Sequence, residues 1–179
     1  MDRNKRPFDV IGQLGTLRRY ARSLARNSTD AEDLVHDALV RAYERRTTFK
    51  PGKPGASLRN WLLAIVHNTH IDRMRSAIAR QRRDDAATLE AEPSYPAGQE
   101  HAIRLGQVRE AFMALPEDQR EALHLVAIED LSYQEAADAL GIPVGTLMSR
   151  VSRARAALRA FEADGKQPSH LRLVGGGND

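Results

Sequence analysis

Between Ser132 and Arg155 the chain reads SYQEAADALGIPVGTLMSRVSRAR. This stretch leaves few folds open, because its signals converge on two short helices joined by a tight turn. Ser132 and Glu135 have the spacing of a capping box, in which a hydroxyl and a carboxylate satisfy the first free N–H groups of a helix. Gly141 ends that helix, since glycine accepts the left-handed backbone that a sharp stop needs. Pro143 sits near the start of the next one, where a missing N–H costs nothing. Leu147, Val151, Ala154 and Leu158 then recur at helical spacing and predict a core-facing stripe. Arg150, Arg153 and Arg155 fall largely away from it. No acidic residue occurs from Pro143 through Phe161, whereas a helix that merely faces water usually mixes both signs and gains i,i+4 pairs. The pattern predicts a helix-turn-helix whose second helix meets phosphates or base edges of DNA.

The rest of the chain sets that motif in context. A length of 179 residues allows one large domain or two small ones. Aromatics at 5% and the absence of β-branched runs favour small helical units, and the predicted class is all-α. There is no cysteine, which excludes disulfides and thiolate metal sites. No apolar run approaches the roughly 20 residues that span a bilayer, and the N-terminus lacks an apolar signal core, so the expected location is the cytoplasm, away from membranes. Charge is distributed unevenly. Residues 1–83 hold 18 basic and 8 acidic side chains, and residues 84–138 hold 3 basic and 13 acidic. The net charge of +3 therefore hides basic ends around an acidic middle, which a polyanion would repel and a basic partner would attract.

Helical periodicity divides the chain. Ile11, Leu14, Leu17, Ala21 and Leu24 mark a first helix over residues 8–26. A second capping box, Thr29 to Glu32, opens a helix that turns Leu34, Val35, Ala38, Leu39 and Ala42 inward and leaves Asp33, His36, Asp37 and Arg41 outside. A loop with two lysines, Lys50 and Lys53, leads to Ser57, the expected cap of a long helix from Leu58. Residues 84–99 have no sustained periodicity and read as a flexible acidic linker. Helical pattern resumes with Ile103, Val108, Phe112 and Leu115, then with Ala122, Leu123, Leu125 and Val126 behind Pro116. The expected organisation is a helical domain over 1–83, the linker, a second helical domain over 100–163, and a mobile tail over 164–179.

Three segments in this order, Asp30–Tyr43, Asn60–Arg75 and Leu115–Arg155, resemble the bacterial extracytoplasmic-function sigma factors of RNA polymerase. The end of the third segment, Gly145–Arg155, and the stretch from Ser57 to Asn68 are most similar to the general stress-response branch of alphaproteobacteria. The resemblance implies that the first domain is a sigma region 2 bundle and the second a region 4 helix-turn-helix. It implies core polymerase contacts at Asp33, His36, Asp37 and Arg41, on the clamp helices of the largest subunit, and a contact of the second domain with the flap of the second-largest subunit. It further implies −10 recognition and melting by Lys50, Lys53, Ser57, Arg59, Asn60, Trp61, Asn68, Arg73 and Arg75. Melting requires a trap for a flipped base and a basic path for single-stranded phosphates. For Trp61 two readings compete, stacking near the melted strand and packing with Leu58, Leu62 and Ile65. The −35 element would be met by Thr146, Ser149, Arg150, Ser152, Arg153 and Arg155, with Ser149, Ser152 and Arg153 on base edges. An anti-sigma factor is the implied regulator, and the acidic linker residues Asp84, Asp85, Glu90 and Glu92 either imitate nucleic acid on the polymerase or serve as a plain tether.

Two rival readings stay open at this point. A helix-turn-helix repressor accounts for Ser132–Arg155 but leaves Thr29–Arg75 unexplained. A sigma-like decoy that binds an anti-sigma factor would be expected to carry a receiver domain, and no βαβ run is present. No nucleophile, base and pocket come together in the sequence, so no enzyme is expected. The His67 and His70 pair has the i,i+3 spacing of metal ligands, but no third ligand follows at suitable spacing, so neither metal nor cofactor is expected.

Overall fold

In a computed structural model, residues 8–25, 27–50, 57–81 and 100–165 are described. Among them the secondary structure is helical throughout. Helices α1 (Leu14–Leu24), α2 (Ser28–Glu44) and α3 (Leu58–Gln81) form an N-terminal unit, and α4 (Glu100–Met113), α5 (Glu117–Ala127), α6 (Tyr133–Leu140) and α7 (Val144–Gly165) form a C-terminal one. Lys53, the acidic linker and the tail lie outside the described residues.

Side chains cap α2, α3 and α6. Ser57 Oγ accepts from the N–H of Asn60 at the start of α3. At α6 the capping box is complete, with Ser132 and Glu135 each satisfying the other's backbone N–H. Gly141 takes φ +65°, the left-handed geometry its position requires. One cap differs from expectation. The start of α2 is held by Asn27, whose side chain accepts from Asp30 N–H at 2.8 Å, so the Thr29–Glu32 pair is helical rather than a capping box. Asparagine is among the strongest N-caps, and its amide also reaches the Asp30 carboxylate.

The inward stripes meet as anticipated. Leu17, Ala21 and Leu24 pack with Leu34, Val35 and Ala38 and with Leu62, Leu63 and Val66, while Leu147, Val151 and Ala154 close the C-terminal unit against α5 and α6. Ile11 and Val108 depart from the expected stripes. Ile11 is 80% exposed because it sits in a 3-10 turn, where the 3.6-residue period does not hold. Trp61 joins Phe8 and Phe49 in an aromatic cluster with ring centroids 5.5–5.9 Å from its own, so its ring is largely committed to packing.

The two units pack against each other. Helix α6 lies along α3, and α5 lies along α1. The apolar core is continuous through both units.

Candidate nucleic-acid interface

Helix α7 presents the exposed face that the sequence pattern requires. Thr146, Ser149, Ser152, Arg153 and Arg155 are all exposed, and the opposite stripe of Leu147, Val151 and Ala154 is buried. Gly141 and Pro143 set the angle at which this helix leaves α6, and Leu147 fixes its rotation. Arg150 is half-buried, with Nε 3.3 Å from the Asp118 carboxylate, so it braces α7 against α5. Arg155 donates to the Tyr133 hydroxyl at 3.3 Å.

On the N-terminal unit, Asp33 and His36 stand exposed on α2. Asp37 accepts two hydrogen bonds from Arg73, the shorter 2.6 Å, and Arg41 donates to Asp72 at 2.7 Å. These pairs cross from α2 to α3 and set the spacing of the two helices. The first of them ties Arg73, expected on DNA, to Asp37, expected on the polymerase. Lys50, Asn68 and Arg75 are exposed.

Arg59 and Asn60 have a different setting. Arg59 Nη2 donates to Glu129 Oε2 at 2.6 Å, and Asn60 Nδ2 donates to Glu135 Oε1 at 2.9 Å. Arg19 adds two bonds to Glu129, at 3.1 and 3.2 Å. The Glu129 side chain is wholly buried between these guanidinium groups. Burial alone would raise its carboxyl, but the hydrogen bonds from Arg19 and Arg59 overcome that and hold it below the usual carboxylate range. Glu135 is also held low, chiefly by the Ser132 hydroxyl and N–H. Thus two residues expected on the −10 strand are occupied by acids from the unit expected to read the −35 element.

Other contacts extend this seam. Buried Arg120 on α5 donates through Nε to the Ser23 carbonyl of α1 at 2.6 Å, and through Nη1 to the Met113 and Leu115 carbonyls at 3.0 and 2.9 Å. His67 and His70 of α3 face Glu121 and Glu117 of α5. Tyr20 stacks near His124, with ring centroids 5.3 Å apart. The Tyr20 hydroxyl and both His124 nitrogens are buried and have no hydrogen-bond partner among the described residues. His124 Nε2 does lie 3.4 Å from Glu129 Oε1, a charge contact too long or too poorly aligned to satisfy it.

Sequence reasoning missed this seam. Arg19, Tyr20, Ser23, Arg120, His124 and Glu129 were not singled out as site residues. One signal could have found it, the −10 charge of residues 84–138 beside the +10 of residues 1–83, from which Glu129 and the pair Arg19 and Arg59 come together here.

The seam makes a prediction about acid. Burial lowers the His124 imidazole from 6.5 to about 4, against the opposing pull of Glu129. Above pH 6.5 the ring is neutral whether buried or exposed. As pH falls from there toward 4, the exposed ring takes a proton and the buried one does not, so packing loses stability. The loss between pH 7 and pH 5 is about 2 kcal/mol. Because other histidines and carboxylates titrate in the same range, the test compares wild type with His124→Phe in urea at both pH values. The difference between the two proteins is expected to move in the variant's favour on acidification. A difference independent of pH would contradict the assignment.

Comparison with known proteins bears on the same residues. The family model described as Sigma-70 region 2 matches residues 12–82, and that described as Sigma-70, region 4 matches residues 105–158. The chain is 37% identical to the ECF RNA polymerase sigma factor EcfG of Rhodopseudomonas palustris, an alignment covering 95% of this chain and 94% of the relative. It is 36% identical to the ECF RNA polymerase sigma factor SigM of Mycobacterium tuberculosis, over 79% of this chain and 69% of that one. Among solved structures it is similar to the sigma factor RpoE in complex with the anti-sigma factor NepR from Bartonella quintana. There the TM-score is 0.74 at 34% identity, over 87% of this chain and 94% of that one.

Proposed function

Since this chain belongs to the extracytoplasmic-function sigma factors of RNA polymerase, we propose that it mounts on core polymerase and directs initiation at promoters with separate −35 and −10 elements. The observation that carries the reading is the exposed face of α7 from Val144 to Phe161, which is free of acidic residues and lies in a unit matched by region 4, behind a unit matched by region 2. That arrangement favours DNA reading over a decoy role, and the region 2 unit has no place in a simple repressor.

Residues 1–83 take the polymerase and the −10 element, and residues 100–163 take the −35 element. Asp33 and His36 are the accessible clamp contacts, with Asp37 and Arg41 available once their pairs with Arg73 and Asp72 exchange. Lys50, Asn68 and Arg75 line the path of the melted strand, and Ser57 and Trp61 support it. Arg59 and Asn60 join that path when Glu129 and Glu135 withdraw. The packed arrangement is thus a stored form, and initiation requires the two units to part. An anti-sigma factor of the kind seen with the Bartonella protein holds this chain in check, and the genes served are those of a general stress response. The work is done in the cytoplasm and needs no catalytic chemistry of the chain's own. Among the described residues no helix is long and apolar enough to cross a membrane.

Arg153→Ala tests the reading at one residue. An arginine bidentate to guanine contributes about 1–3 kcal/mol of discrimination. With holoenzyme and a promoter library randomised in its upstream element, the variant is expected to lose its preference at one position while leaving the others. Equal weakening on all sequences would place Arg153 on a phosphate instead.

A further inference from the structure

The seam between the units brings together a group of side chains that the promoter-reading role does not use. His70 Nε2 of α3 lies 2.6 Å from Glu117 Oε1 of α5, and Glu121 stands one turn further along α5. One ligand atom from each of His70, Glu117 and Glu121 falls within 4.8 Å of the other two. His70 and Glu121 are buried and Glu117 is half-buried. Among the described residues, the ion-pair partners of both glutamates are imidazoles, not lysine or arginine. Two neighbouring carboxylates on one helix face repel each other, more so away from water. Arg120, on the same helix, feels the charge of both glutamates, but its hydrogen bonds go to backbone carbonyls, which leaves the carboxylate oxygens to the imidazoles.

We propose that His70, Glu117 and Glu121 form a binding site for one divalent transition-metal ion, Zn2+ foremost, that bridges the two units. One imidazole and two carboxylates suit an ion of borderline softness, and three protein ligands leave a fourth position for water. The donor atoms need to settle about 3.3 Å apart around an ion held at about 2.0–2.1 Å. This requires His70 and Glu117 to open slightly and Glu121 to close in, adjustments within side-chain reach. The ion takes the place of the hydrogen between His70 Nε2 and Glu117, and the neutral ring carries its one hydrogen on Nδ1 instead. His67 is the positioning residue. Its Nδ1 donates to Glu121 Oε1 at 3.1 Å, leaving the other oxygen for the ion. Access comes from a cleft of about 850 Å³ whose walls include His70 and Glu117. Because one ligand is on α3 and two are on α5, the bound ion favours the packed form over the parted one.

The test uses the purified full chain and Co2+ as a spectroscopic stand-in for Zn2+. Wild type is expected to bind one Co2+ with the visible bands of a low-coordinate N/O site, Zn2+ is expected to displace it, and Zn2+ is expected to raise Tm. His70→Gln and Glu117→Gln should abolish the bands, and His67→Gln should weaken affinity about 10–100-fold. Glu110→Gln, a surface carboxylate on α4, should bind as wild type does. Circular dichroism establishes that each variant is folded, and His67→Gln serves if His70→Gln is not. Absence of bands in wild type, or bands retained in folded His70→Gln and Glu117→Gln, would overturn the proposal. Neither result bears on initiation, which is read separately.

Discussion

Glu129→Ala is expected to release the two helical units from each other. The glutamate is wholly buried and accepts from Arg19 twice and from Arg59 once, so its loss removes three charge-assisted bonds at a stroke. Breaking a fully buried pair costs about 3–5 kcal/mol, because the remaining charge is stranded. Here the arginine side chains are 53% and 32% exposed and can turn to water, so the cost to the packed form is nearer 2 kcal/mol. That corresponds to a shift of about 30-fold toward the parted form. Small-angle scattering reads it directly. A compact chain of this length has a radius of gyration of about 16 Å, and the variant is expected to be several ångströms larger than wild type. Arg59 and Asn60 are then exposed, so affinity for single-stranded promoter DNA rises. Unchanged dimensions would mean that the apolar contacts and the remaining polar bonds of the seam, Arg120 to Ser23 among them, hold the units together without Glu129.

Arg120→Ala has the larger effect on stability. Its guanidinium satisfies three backbone carbonyls, those of Ser23, Met113 and Leu115, which lie in both units. Alanine leaves buried acceptors without donors and a void where the side chain ran. Each lost bond from a charged donor is worth about 1.5–3 kcal/mol before relaxation. A net loss of about 3 kcal/mol lowers Tm by about 6–12 °C in a chain of this size. Arg120→Lys is expected to recover little, since one ammonium cannot span the Ser23 carbonyl and the Met113–Leu115 corner together. A thermal melt compares the three proteins. A lysine variant as stable as wild type would show that charge, and not the fork of donors, is what the site needs.

The two mutations also show where the sequence was informative and where it was silent. Ser132 with Glu135, Gly141, and the stripe of Leu147, Val151 and Ala154 act within a few turns of chain, so their spacing reveals their roles. The exposed arginines of α7 were legible for the same reason. Arg120 is different. Its partner Ser23 is 97 residues away, and nothing local distinguishes it from a solvent-facing arginine. Glu129, Arg59, His67 and His70 are likewise polar residues on polar helix faces. Periodicity identifies such a face but not what covers it. What faces His67 and His70 was hidden for the same reason, since Glu121 and Glu117 come from another helix. Asn27 replaced Thr29 as a cap because either residue type suits the role, and only backbone geometry chooses between them.

The account turns on two units of one chain meeting two elements of one promoter while carried by polymerase. Run-off transcription with purified core enzyme tests this most directly, on a template library in which the upstream and downstream elements vary independently. Product is expected only from templates carrying both elements at a fixed separation, and scrambling either one should abolish it. Folded chain and active core that together yield no element-dependent transcript would contradict the account.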